Sequence, residues 1–412
     1  TMSLYSDAQA IIENALLAAQ PGEAVKKALS GIDLKNKRRV LLIAIGKAAW
    51  HMSQAAIEYL GDRIDSGVVI TKYQHAQGPL PHVEIFEAGH PVLDEATLLA
   101  TQQALDLSSD LEEDDAVLFL VSGGGSALFE QPMVTLSELT AITEELLSKG
   151  ADIVEINTIR KRLSKVKGGR FAKHAAPAHV YSVILSDIIG DPLDMVASGP
   201  AYPDNSTSEE AFAIAQKYDL TLSDKARRYL LLDTPKHLDN VTSRVTGSVT
   251  ELCLSAEKTA LLLGYTPLIL TASLRGEARE AGSFMASIAE YHQHSKKSLA
   301  FIAGGETIVR ITGDGKGGRN QEIALSAAEV LSKLENTCLF SLGSDGTDGP
   351  TDAAGGYVDT TSFEKLKALG IDPYEVLLQN DSYRALKAID GLIMTGPTGT
   401  NVNDLTVLLI KR

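Results

Sequence analysis

The chain has 412 residues, more than one ordinary hydrophobic core accommodates, so two domains are expected. Hydrophobic residues make up 44% and charged residues 22%, the balance of a folded chain and not of a disordered one. With 53 acidic against 38 basic residues the formal charge is −15, which argues against a broad basic face for nucleic acid or anionic lipid.

Asp7 to Leu29 carries apolar residues at helical spacing. Val40–Ile45 is an unbroken aliphatic run ending at Gly46, and Lys47–Leu60 returns to helical periodicity. Strands are expected at Val68–Thr71, Val83–Glu87, Ala116–Val121 and Val180–Leu185, with a helix at Leu136–Leu147. Apolar runs without alternation, separated by helices, indicate parallel strands covered on both faces. From Leu232 to Thr246 the pattern breaks into polar residues around Pro235, which sets a boundary between residues 1–238 and 239–412. The second part alternates again: helix Ser248–Leu263, strand Pro267–Thr271, helix Glu277–His292, strand Leu299–Ala303, a helix from Arg319, strand Thr337–Leu342 and a last strand near Leu405–Ile410. Two α/β domains with a cleft between them is the economical architecture. Cys253 and Cys338 lie far apart in no metal-ligand spacing and suit buried packing in a reducing compartment. With no signal peptide and no membrane-length apolar run read, the expected location is cytoplasmic.

Ligands of such sheets bind beyond the carboxyl ends of the strands. The unusual residues fall there. Ser122-Gly123-Gly124-Gly125-Ser126 follows a strand directly and reads as a phosphate nest, in which N–H groups and two hydroxyls meet phosphate oxygens; the plainer reading is a tight turn. Lys47, at a strand-to-helix junction, could neutralise a moving phosphoryl group, although a lone Lys is usually solvated. Asn157 and Arg160 open the most basic stretch of the chain, through Lys161, Arg162, Lys165, Lys167 and Arg170. Asn157, Arg160 and Lys165 are candidate ligand-binding groups, and a solvated helix face is the alternative for most of the cations.

Asp187 and Asp191, with Asp194, suit a Mg2+ held through oxygens and waters, and Asp187 at the strand end could also accept a hydroxyl proton; an Asx turn and a helix cap are the alternatives. Gly304, Gly305 and Glu306 form a second glycine loop for nucleotide or phosphate. Arg319, at the start of a helix, is placed to clamp a phosphoryl group or a carboxylate. Asp345 and Asp348 could bind Mg2+ or a ribose, with a surface turn as the competitor; there is no bidentate Glu at the offset an EF-hand needs. His90, before Pro91, reads as structural.

Taken in order, Gly46-Lys47-Ala48-Ala49, Ser122–Leu128, Asn157–Arg160, Lys167–Arg170, Ser186-Asp187 through Gly190-Asp191, Ala197–Pro200, Gly304–Thr307, Gly318–Glu322, Asp345–Asp352 and Thr398–Asp404 resemble the glycerate kinases of the MOFRL type across nearly the whole chain. The resemblance implies a Rossmann-like N-terminal domain with a parallel sheet, a smaller α/β C-terminal domain of MOFRL type, and an active site in the cleft. It implies phosphorylation of D-glycerate by ATP with Mg2+ or another divalent cation, yielding 2-phosphoglycerate, with Lys47 and Arg319 at catalytic positions. It implies neither nucleic-acid nor membrane partners, and it is compatible with a homodimer. Arg162 stands where relatives often carry His. Members are often labelled hydroxypyruvate reductases, but none of the expected strands runs directly into a Gly-x-Gly-x-x-Gly that opens a helix with an acidic residue downstream. A non-catalytic sugar-acid sensor is the alternative from another class.

Overall fold

The computed structural model describes residues 3–186 and 192–412, which form two compact units. The first runs from Ala24 to the end of a strand at Thr246. Its strands are β1 Val40–Ile45, β2 Ser66–Lys72, β3 Val83–Ala88, β4 Ala116–Val121, β5 His179–Leu185 and β6 Val241–Thr246. They form one sheet of order β3-β2-β1-β4-β5-β6, parallel at every pairing. All residues of the central pair β1 and β4 are buried, as their uninterrupted aliphatic sequences require. Phe119 of β4 stacks with Phe129 and Phe171, fixing the segments that follow β4 against the sheet.

The second unit combines the described residues up to Glu23 with Gly247–Arg412. Its sheet contains β7 Thr266–Leu274, β8 Leu299–Gly305, β9 Thr337–Gly343, β10 Gly355–Asp359, β11 Leu392–Ile393 and β12 Asp404–Ile410, in the order β11-β10-β9-β12-β8-β7. This sheet is mixed: β7 and β8 are parallel, whereas β12 runs antiparallel to both β8 and β9. That reversal puts Asp404, the first residue of β12, opposite Gly305 and Gly343, the last residues of β8 and β9.

The units divide the chain elsewhere than at 238/239. β6 lies inside the stretch read as irregular; it is an edge strand whose Thr242, Ser243 and Arg244 are exposed, so it carries no hydrophobic run. It belongs to the first sheet. At the other end of the chain, helix Leu4–Ala18 packs with helix Val249–Leu262 of the second unit, where Tyr265 Oη donates to Asp7 Oδ2 at 2.7 Å and Ser255 Oγ to the Asn14 carbonyl at 3.1 Å. Both cysteines are buried free thiols.

Candidate functional site

The order of the first sheet reverses between β1 and β4, the switch point at which doubly wound sheets open a crevice. Gly46, after β1, has φ 115°, and a Cβ there would lie 2.2 Å from Ser122 Oγ, so only glycine lets the two strand ends approach this closely. Ser122 Oγ donates to the Ile45 carbonyl at 3.2 Å and accepts from Ala48 N at 3.1 Å, while Lys47 N donates to the Gly123 carbonyl at 2.8 Å. These bonds place Lys47, whose side chain is exposed, at the entrance to helix Ala49–Leu60 beside the glycine turn; its Cγ lies 3.2 Å from the point a Gly124 Cβ would occupy.

Gly124, at φ 88°, starts the short helix Gly125–Leu128. Among the described residues nothing accepts from the N–H groups of Gly123, Gly124 or Ser126. What the turn leaves open to a ligand is therefore its backbone amides. The Ser122 hydroxyl, buried and committed to Ile45 and Ala48, does not add to it. The ring of His90 packs on the same glycine, 3.0 Å from its Cβ position, with Nδ1 buried and without a partner among described residues. Burial first, then Lys47, Lys72 and His75, lower its pKa. Nothing in the residues around His90 signalled this proximity, because β3 delivers it from outside the glycine motif.

The basic stretch is not a solvated face. Helix Ile153–Arg162 buries Lys161 and Arg162, which each stand 3.6 Å from the buried Asp204. Arg162 also donates to Ser206 Oγ at 2.8 Å and to the Ser206 carbonyl at 3.0 Å. Lys167, fully buried, donates to the carbonyls of Ser126 at 2.7 Å and Phe129 at 3.1 Å and faces Glu130 at 3.8 Å. Arg160 shares Glu130 at 3.8 Å and reaches the Ser126 carbonyl at 3.4 Å. Buried charges persist only when paired and hydrogen-bonded, and Glu130 and Asp204, distant in sequence, supply the pairing. Asn157 accepts from Ser198 Oγ at 3.0 Å, and Ser198 Oγ lies 2.5 Å from Ser126 Oγ. Asn157 and Arg160 are thus brought to the turn, while the exposed Lys165 side chain bonds to none of the described residues.

In the second unit Arg319 opens helix Arg319–Leu331 and is held as a fork by Asp404: Nε donates to Oδ2 and Nη2 to Oδ1 at 3.0 Å. Nη1 stands 3.3 Å from Glu306 Oε1. The Asp404 hydrogen bond, then its charge, raise the Arg319 pKa further; burial of Asp404 raises its own against the pull of Arg319. Gly304 and Gly305 serve close packing, since Cβ atoms would meet Cys253 Sγ at 2.6 Å and the Leu274 carbonyl at 2.3 Å; their effect is to deliver exposed Glu306 beside Arg319. Asp348 is buried and accepts from Asn320 N at 3.0 Å and Gln321 N at 2.8 Å, capping the helix that Arg319 opens from a distant loop. Burial pushes its pKa up to about 6. Asp345, half-buried, accepts from Thr347 N at 2.9 Å. Asp187 and Asp191 lie outside the described residues.

Residues 7–231 match the model of a domain of unknown function, DUF4147, and residues 299–404 match the MOFRL family. A D-glycerate 2-kinase of Thermotoga maritima is 52% identical, covering 99% of this chain and 99% of its own. The chain belongs to the glycerate kinases of the MOFRL type. A crystal structure of a Thermotoga maritima glycerate kinase superposes with a TM-score of 0.89 at 51% identity, covering 98% of this chain and 99% of the other. That of a Pyrococcus horikoshii protein does so with a TM-score of 0.95 at 39% identity, covering 100% and 99%.

For a glycerate kinase the donor set bears on the metal. Among the described residues no group of three or more His, Cys, Asp or Glu side chains could hold an ion. Both oxygens of Asp348 and both of Asp404 already accept from amide or guanidinium donors, which leaves Asp345 and the exposed Glu306 as the less committed strand-end carboxylates among the described residues. Such a set fits Mg2+ carried on nucleotide phosphates with few protein ligands, and not a protein-built cage. No described helix is long and apolar enough to cross a membrane.

Proposed function

We propose that this chain transfers the γ-phosphoryl group of ATP to D-glycerate, giving 2-phosphoglycerate and ADP. The observation that carries the reading is Lys47: an exposed ammonium without an ion pair among the described residues, fixed at the β1–β4 switch point beside three unspent amide N–H groups. Cations and N–H groups aimed at phosphate oxygens are what phosphoryl transfer asks of a protein, because its loose transition state needs positioning and charge neutralisation more than covalent chemistry.

In this mechanism the turn Ser122–Ser126 binds phosphate through its backbone, and Lys47 offsets the charge that develops as the glycerate oxygen joins the γ-phosphorus and the bond to the ADP oxygen breaks. Arg319 stabilises the transferring phosphoryl group or the glycerate carboxylate, aimed by Asp404 and Glu306. Asn157 and Arg160 hold the substrate side of the turn. Asp187 takes the hydroxyl proton. Asp187, Asp191 and Asp345 are the carboxylates read as candidates to hold Mg2+, which when bound would neutralise phosphate charge. The β1 turn, Gly46-Lys47-Ala48-Ala49, lacks the glycine fingerprint that nicotinamide binding requires, which disfavours hydroxypyruvate reduction. The test is coupled ADP release with D-glycerate, run beside NADH oxidation with hydroxypyruvate. ADP release alone is expected; NADH oxidation without ADP release sinks the reading.

A further inference from the structure

The direction of the hydrogen bonds behind the glycine turn determines what Ser126 can recognise. Ser126 Oγ and Ser198 Oγ are 2.5 Å apart, a distance at which one must donate to the other. A serine hydroxyl has a single proton. Ser198 spends its own on Asn157 Oδ1 at 3.0 Å, so the proton between the serines comes from Ser126. The orientation of Asn157 fixes this order, because its Nδ2 faces Met195 Sδ at 3.6 Å. A thioether can only accept; turning the amide over would set its carbonyl against the sulfur and lose the bond.

The relay is built into the fold. Ser198 is fully buried and Asn157 nearly so. Ala197, Ser198 and Gly199 are three successive left-handed residues, at φ 53°, 62° and 61°, a conformation that persists only when its surroundings over-determine it. Gly168 N and Gly169 N donate to the carbonyls of Ser198 and Gly199 at 3.0 and 2.8 Å and hold it. Gly125 lets it approach the turn, since a Cβ there would lie 2.7 Å from that of Ala197. On the other side, Lys167 and Arg160 hold the Ser126 carbonyl.

With its proton committed inward, the hydroxyl of half-buried Ser126 can offer a ligand only lone pairs. We infer that the Asn157–Ser198 relay makes Ser126 a hydrogen-bond acceptor, so that it selects an alcohol hydroxyl of the sugar-acid substrate and not a phosphate oxygen, which has no proton to give. This rests on the kinase reading for the identity of the substrate. It splits the glycine turn into backbone amides that suit phosphate and a side chain that suits hydroxyl. Ser126 is then a specificity-determining group and Ser198 a positioning residue.

The test is Ser126→Ala and Ser198→Ala, with KM measured separately for D-glycerate and for ATP. For both variants the KM for D-glycerate is expected to rise about tenfold, the usual scale of one lost hydrogen bond, with the KM for ATP unchanged. Lactate and 3-hydroxypropanoate, each lacking one hydroxyl, identify the group read: the analogue missing it inhibits the native enzyme and Ser126→Ala equally. A rise for ATP as large as that for D-glycerate, or no change in either, overturns the inference. Should Ser198→Ala not fold, Ser126→Ala, at a half-exposed position, decides alone. If the native chain releases no ADP, the kinase reading fails separately, and calorimetric titration of D-glycerate into native and Ser126→Ala protein still reads the subsite. Equal binding, or none to either, overturns it.

Discussion

The two units handle their cations in opposite ways. Around the switch point of the first unit, burial sorts them: Lys161, Arg162 and Lys167 are inside, bound to Asp204, Glu130 and main-chain carbonyls, while Lys47 and Lys165 are exposed and unpaired among the described residues, with Lys47 at the strand end itself. At the strand ends of the second unit a single Arg319 is both held and accessible, its fork gripped by Asp404 and its far nitrogen near Glu306. The first unit thus separates the charge that shapes the site from the charge that acts in it. The second puts both tasks on one guanidinium.

This contrast is broken or sharpened by substitution. Lys167→Met should have the largest effect on the fold, because it leaves buried Glu130 with Arg160 as its one cation among the described residues and removes the donor to the Ser126 and Phe129 carbonyls; a loss of about 3 kcal/mol is expected in urea denaturation. An unchanged unfolding midpoint would show that the buried cations are dispensable. Lys47→Ala should do the reverse, lowering kcat about a hundredfold or more while the thermal midpoint stays put. Near-native turnover would remove Lys47 from the mechanism.

Asp404→Asn keeps the shape of the fork's partner but not its charge, and kcat should fall on the order of tenfold as Arg319 loses its aim. A loss confined to the KM for either substrate would instead make Arg319 a plain binding residue. The smallest effect concerns Asp348. Its folded pKa, about 6, lies above the ordinary 3.8, so between those values the folded state holds a proton the unfolded chain has released. Stability should therefore fall as pH rises from about 4 to about 6 and then level off, and Asp348→Asn should abolish that slope in urea midpoints. A slope that survives the substitution would assign it to another group.

Much of the frame was legible in the residues. Unbroken aliphatic runs located β1 and β4 to the residue, and the motifs Gly46-Lys47, Ser122–Ser126, Gly304-Gly305 and Ser344-Asp345 do sit at strand ends. What failed to show was whatever depends on distant pairing. β6 lacks an apolar run because it is a solvated edge, so the boundary was drawn too early. The basic stretch looked solvated because Glu130 and Asp204, which allow it to be buried, lie far away in sequence. Gly304 and Gly305 read as a ligand loop but are needed for close packing. Asp404 is invisible as the partner of Arg319 until the antiparallel β12 sets it between the ends of β8 and β9.

The most direct measurement is proton-coupled 31P NMR of the product formed from ATP and D-glycerate. Phosphorylation at the 2-hydroxyl predicts a new monoester resonance split by a single proton, appearing in step with ADP. A resonance split by the two protons of a methylene group would place the phosphate on the 3-hydroxyl, and no new resonance at all would contradict phosphoryl transfer to D-glycerate.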